Sequence, residues 1–326
     1  MEVVVFRFLR SLAFALPLIV LQPVLGQAAP TGPLGEFNVL VFGDFTAPSS
    51  DVEGRLYAGG NVSLSSYSVG DKISGGMVGG DSLVVGGDLT FTSGSVQNGN
   101  IVVGGSGAGV ASNVRWGTHN AGYTLTDNVG FGNLPVDFVA EQTRLVATST
   151  ALAQLAANGS SEYKWSQLFL TGDGTGNTQI FNIDASALGA ATNIVVQNIA
   201  DGVEVVINVS GSVASMSGGM DQFFERNRDT ILFNFFEAET LSLANIGVQA
   251  SILAPETDIQ TSWGVVWGQV VGASWTGPMQ VNQVYYDGYA PPPGGPVGDE
   301  VAIPAPGALG IVLIGLCAIR RLRRAA

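Results

Sequence analysis

"SLVVGGDLTFTSGSVQNGNIVVGGSG", residues 82–107, decides the fold, because its apolar runs are short and each ends in glycine. Working outward, the same pattern occurs in "FNVLVFGD" (37–44), "RLYAGGN" (55–61) and "GGMVGGD" (75–81). Runs of about four residues are strands at the short end of the usual range, and glycine supplies the backbone freedom for the turns between them. The doublets Gly59-Gly60, Gly79-Gly80, Gly86-Gly87 and Gly104-Gly105 are unevenly spaced, which makes this a degenerate repeat. Stacked repeats of strand, turn and strand predict an all-β β-solenoid (β-helix) of short glycine-turned strands. A β-sandwich is the alternative, and the 45 glycines and the brevity of the strands favour the solenoid.

One stretch interrupts the pattern. "LPVDFVAEQTRLVATSTALAQLAAN" lacks glycine and carries Phe138, Leu145, Leu152 and Leu155 at helical spacing, with Val139 and Val146 beside them. It predicts one inserted amphipathic helix over about 135–157, opened near Pro135, closed by Asn158-Gly159 and lying along the solenoid's side. Strands then resume, with alternation visible in Val203–Val209 and in Thr240–Leu243. "SILAPETDIQTSWGVVWGQVVGASWTG" (251–277) reads as two further coils. Its tryptophans Trp263, Trp267 and Trp275 would form an aromatic platform for sugar rings if they share an outer face, or fill the interior if they do not.

The ends differ from this body. Residues 1–28 read as a secretory signal peptide, with Arg7 and Arg10 before an apolar run and Gly26-Gln27-Ala28 at the cleavage point; a membrane anchor is the alternative. "APPPGGPVGDE" opens a Pro/Gly linker over 290–302. Residues 303–326 combine a proline motif, an apolar segment from Ala308 to Ile319 and an arginine tail, an arrangement that suits a sorting signal and membrane anchor. Between the ends, residues 29–302 hold seven basic residues against 25 of the 26 acids, a net charge of −18. Such a surface repels nucleic acid. The one cysteine, Cys317, lies in the C-terminal apolar segment, which leaves the body without disulfides or thiol chemistry.

The tail "IPAPGALGIVLIGLCAIRRLRRAA" resembles the PEP-CTERM signals of Gram-negative bacteria through Pro304, Pro306, Gly307 and the arginines Arg320, Arg321, Arg323 and Arg324, with Ala305 where those signals have glutamate. This resemblance implies an exosortase-type processing enzyme as a partner. The body resembles the choice-of-anchor A family of bacterial surface proteins through "FNVLVFGDF", "DVEGRLYAGGNVSL", "NTQIFNID", "VVINVSG", "ILFNFFEAETLSL", "SILAPETDI" and "WGQVVGASWTG". It implies an adhesive or surface-layer module over residues 29–289, with no catalytic residue to carry over. The strands with one flanking helix also look like the bacterial ice-binding fold, an analogy of architecture alone.

Candidate chemistry is sparse. Asp44, Asp51, Glu53, Asp81, Asp88 and the Asp173–Asn177 cluster could offer oxygens to calcium, with Asp173 and Asn177 as the named ligands, but the spacing fits no EF-hand or nonapeptide repeat and suits turns better. Paired carboxylates such as Glu237 and Glu239, at i and i+2 on a predicted strand and hence on one face, are compatible with glycosidase chemistry and equally with a solvated strand face. His119, the single histidine, is expected in an exposed loop. Thr90-x-Thr92 and Thr124-x-Thr126 are too few for a flat ice-binding array. The sequence therefore predicts a non-enzymatic, secreted and surface-retained adhesive module that engages exopolysaccharide or cell surfaces; a self-associating protein of the envelope or biofilm matrix is the alternative.

Overall fold

The computed structural model describes residues 32–290. The signal peptide, nearly all of the linker, and the sorting signal with Pro304, Pro306, Gly307 and the four tail arginines lie outside the described residues. The body is dominated by β-structure, in sheets of 16, 4 and 6 strands, and is compatible with a β-solenoid. Every strand pairing is parallel except that of Ser160–Lys164 with Gln167–Thr171.

The strands line three sides of a stack, each layer of chain contributing to each side in turn. On the first side Val39–Val41 pairs with Leu56–Ala58, which pairs with Asp81–Val85, which pairs with Asn100–Val103. The second side runs through Phe45–Ala47, Val62–Leu64 and Leu89–Phe91. The third runs through Ser50–Val52, Tyr67–Val69 and Gly94–Val96. Later segments rejoin these sides from the opposite direction. Gln179–Asp184, Val205–Ser210, Ile231–Phe235 and Ser251–Thr261 continue the first side, and Val270–Thr276 closes it by pairing with Val39–Val41. The last complete layer of chain thus stacks on the first, in the middle of the assembly. Ser251–Thr261 and Val270–Thr276 turn a corner without a break and serve both the first and second sides.

Packing explains two kinds of strand. The first-side strands Val39–Val41, Val205–Val209 and Ile231–Phe235 are buried on both faces: Val39 and Val41 point to the interior, whereas Leu40 points outward against a helix. They read as apolar runs broken only by Asn208 and Asn234 for that reason. Val205–Ser210 therefore does not alternate as its sequence suggested; all but its last residue are buried. Second-side strands, such as Phe45-Thr46-Ala47, do alternate between buried and exposed.

The covering helix, α2 (Phe138–Ala153), is shorter than expected at both ends; Asp137 caps it by accepting the Ala140 N–H. Phe138, Leu145 and Leu152 pack on Leu40, Val84, Val206, Leu232, Leu253 and Val271. Val139, expected on the apolar stripe, is 65% exposed. Polar contacts complete the seat: Asn182, Asn208 and Asn234 share one register on the first side. Asn234 donates to Ser149 O and Asn208 Oδ1, and Asn208 donates to Leu152 O and Asn182 Oδ1, satisfying carbonyls at the helix end.

Three further helices were not anticipated: α1 (Ser112–Asn120), α3 (Ala185–Ala190) and α4 (Gln222–Arg226). α1 packs near one end of the stack, while α3 takes a strand's place beside Val213–Met216 near the other. His119 is exposed as expected, but on α1 instead of a loop.

The two ends of the body are fastened together on the first side. Gln269, fully buried, donates to Gly35 O and Phe37 O and accepts the Tyr286 N–H. Asn38 donates to Gly268 O and Asn282 O and accepts the Gly54 N–H. Leu34, Phe37 and Tyr286 join the cluster beneath α2.

Candidate functional site

With the first side covered, the second and third sides supply the extended surface. Along the second side the outward residues fall in one register: Ser242, Gln260, Thr276, Thr46, Ser63 and Thr90. All six are exposed. At the usual spacing of about 4.8 Å between strands this ladder runs roughly 24 Å. Each rung is a hydroxyl or an amide, with no charge among them, on a body that is otherwise acidic. Fixed, evenly repeated donors and acceptors suit a ligand with its own repeating hydroxyls.

The corner beside this ladder uses the acids that were candidates for calcium. Asp44 Oδ1 accepts the Asn61 N–H at 2.7 Å, Asn61 Oδ1 accepts the Asp88 N–H at 2.9 Å, and Asp88 Oδ1 accepts the Ser106 N–H at 2.7 Å. Each side chain ties its layer to the next. Asp51, Glu53 and Asp81 are also engaged, by Gln280, by the Gln283 N–H and by Asn100. The neighbouring glycines are required by close approach: a Cβ on Gly86 would stand 2.0 Å from Gly59 O, and one on Gly59 would stand 2.4 Å from Phe42 O. Neither has positive φ, so backbone contact between layers, not turn conformation, excludes a side chain there.

The three tryptophans do not form one platform. Trp275 is fully buried, stacked on Phe45 at 5.9 Å inside the body, with Nε1 donating to Gly277 O. Trp267 ends a third-side strand, and the Arg228 guanidinium lies over its ring at 4.8 Å. Only Trp263, 69% exposed at the corner between the second and third sides, is open to a ligand.

A family model described as Putative Ice-binding-like adhesive domain matches residues 30–283. The chain belongs to that family. No curated protein and no solved structure matches it. Membership makes this an adhesive domain, fitting a surface or extracellular location. Among the described residues no helix is long and apolar enough to cross a membrane, and the apolar segment Ala308–Ile319 lies outside them.

The remaining candidates in this adhesive domain occupy separate places. Asp173 Oδ1 accepts from the Thr175 N–H, from Thr175 Oγ1 and from Gln179 Nε2. Chiefly through the Thr175 bonds, its carboxyl is held below the usual range. Asn177 contributes its backbone to the same loop, its N–H donating to Thr175 Oγ1 and its carbonyl accepting from Gln179. Among the described residues no group of three or more His, Cys, Asp or Glu converges as a metal site would require. Glu237 and Glu239 lie in the corner before Thr240–Leu243 and not on a strand; Glu237 accepts the Gly211 N–H of the adjoining layer. A recess of about 360 Å³ opens past the C-terminal end of α2, lined by Ala153, Asn182, Asp184, Asn208, Ser210 and Phe236.

Sequence reading passed over a second aromatic group. Trp165 is 80% exposed and Tyr163 46% exposed, on the hairpin at one edge of the stack, with Phe169 beside Trp165. The signal is present in "EYKWSQLF", where Trp165 sits in the two-residue turn and three residues separate it from Phe169.

Proposed function

We propose that this adhesive domain is a β-solenoid module that holds extracellular polysaccharide, or a polysaccharide-coated neighbouring cell, on its second side. In this reading the protein is exported by its N-terminal signal and retained at the surface of a Gram-negative cell after exosortase-type processing, as in the choice-of-anchor A proteins its sequence resembles. The module is not an enzyme.

The uncharged ladder from Ser242 to Thr90 carries the proposal. Hydroxyl and amide groups cost far less to desolvate than carboxylates, and each exchanges water for a sugar hydroxyl at little net gain. Adhesive strength then comes from repetition, because a polymer bound at one rung holds its next residues at high effective concentration over the others.

The test is adhesion of the protein to a panel of immobilised bacterial polysaccharides, with and without calcium, comparing Ser63→Arg and Thr46→Arg with the parent. Saturable binding that either arginine weakens at least tenfold supports the reading. Absence of binding to every polysaccharide, together with concentration-dependent assembly, would replace it with self-association.

A further inference from the structure

We propose that the hairpin tip at Trp165 is a binding site for a pyranose ring of a neutral polysaccharide chain. The proposal rests on the polysaccharide reading above and adds a second, separate contact at one edge of the stack.

The hairpin joins Ser160–Lys164 to Gln167–Thr171 with Lys164 opposite Gln167, which leaves Trp165 and Ser166 as a two-residue turn. Both have positive φ, 51° and 60°. Such turns have the twist that matches their strands, and asparagine and glycine fill them at least cost. A bulky side chain in the left-handed region is strained. Burial does not compensate at Trp165, whose side chain is 80% exposed. Neither the turn nor the core explains a tryptophan here, and strain held without a folding benefit marks a functional position.

Its surroundings specify the ligand. The Phe169 ring meets Trp165 edge-on, at 6.3 Å and 86°. The Lys164 ammonium stands 5.2 Å from the Trp165 ring and 4.9 Å from the Phe169 ring, and it donates to Glu162 Oε2 at 2.6 Å. An exposed indole offers an apolar plane to the C–H face of a sugar, while the ammonium and carboxylate beside it can donate to and accept from ring hydroxyls. Lys164 is neutralised by Glu162, and the rest of the body is strongly acidic. An anionic polymer would therefore be repelled where a neutral one is not.

Cellohexaose, maltohexaose, mannohexaose and hexagalacturonate are titrated into the protein by calorimetry and tryptophan fluorescence, with Trp165→Asn and Trp165→Phe as variants. At least one neutral hexasaccharide binds the parent saturably. Trp165→Asn weakens that binding at least tenfold while its thermal midpoint holds or rises, because asparagine suits the turn; Trp165→Phe retains most of the affinity. Undiminished binding by Trp165→Asn, preference for hexagalacturonate, or no hexasaccharide binding at all overturns the site. If immobilised polysaccharide still binds and only Ser63→Arg weakens it, the hairpin site fails and the second-side reading stands. If no polysaccharide binds anywhere, both fail.

Discussion

Replacing Gln269 with leucine isolates the fastening between the two ends of the body. The substitution keeps the apolar stem but removes the donor to Gly35 O and Phe37 O and the acceptor for the Tyr286 N–H. The Gly35 contact is partly buried, so water can replace the lost donor there. The other two contacts are buried, and each backbone group stripped of its partner costs about 1–3 kcal/mol. The expected loss is therefore about 2–6 kcal/mol, a large share of the roughly 5–15 kcal/mol that holds a typical domain folded. Urea unfolding followed by intrinsic fluorescence should show a lower midpoint with an unchanged slope. Amide exchange should rise first at residues 35–40 and near Tyr286. A loss below about 1 kcal/mol, with protection at those amides unaltered, would refute the view that this side chain fastens the ends.

Trp275→Ala should cost about 3–5 kcal/mol, as expected for emptying a fully buried aromatic position, while Trp263→Ala should change unfolding by less than about 0.5 kcal/mol; chemical denaturation of both distinguishes interior from surface. Gly86→Ala forces a methyl onto Gly59 O, so layers must separate; a loss of about 1–3 kcal/mol in thermal unfolding is expected, with a larger effect than at Gly76, where a Cβ meets nothing. Tyr67→Phe removes a buried hydroxyl that has no partner, so urea titration should show stability unchanged or raised by about 1 kcal/mol. Acid should destabilise the fold: hydrogen bonds from Thr175, Ser186 and Arg226 hold Asp173, Asp184 and Asp201 below the usual carboxylate range. Their contribution is complete above the unfolded value of about 4 and fades as pH falls through the lower folded values. Asp51, raised mainly by burial, works in the opposite sense. The thermal midpoint should therefore drop between pH 5 and pH 3, and less so in Asp201→Asn.

Short glycine-bounded runs made the stacked parallel strands legible, and the spacing of Phe138, Leu145 and Leu152 made α2 legible. The reason for the glycine pairs was not, because a close approach between layers leaves the same residue as a permissive turn. Side-specific burial was also hidden: "VVINV" looks like an alternating strand until Asn208 is seen to reach α2. α1 escaped notice because "SNVRWGTHN" buries only Val114 and Thr118 and has no apolar stripe. The second-side ladder could not be read from sequence at all. Its rungs come from segments more than 200 residues apart, and Thr276 meets Thr46 only because the last full layer closes on the first. Trp165 could have been found, since a tryptophan at a hairpin tip violates local turn preference.

That closure has a mechanical consequence. Both ends of the body leave from the flank of the stack, under α2 and near its midpoint, with a Cβ position on Gly32 lying 2.1 Å from Tyr286 O. A pull applied at Tyr289 would therefore enter at the waist of the body and not at either tip, as on a beam slung from its centre. Force entering there would pass through Gln269 and Tyr286 and be shared across neighbouring layers, instead of peeling strands one at a time from an end.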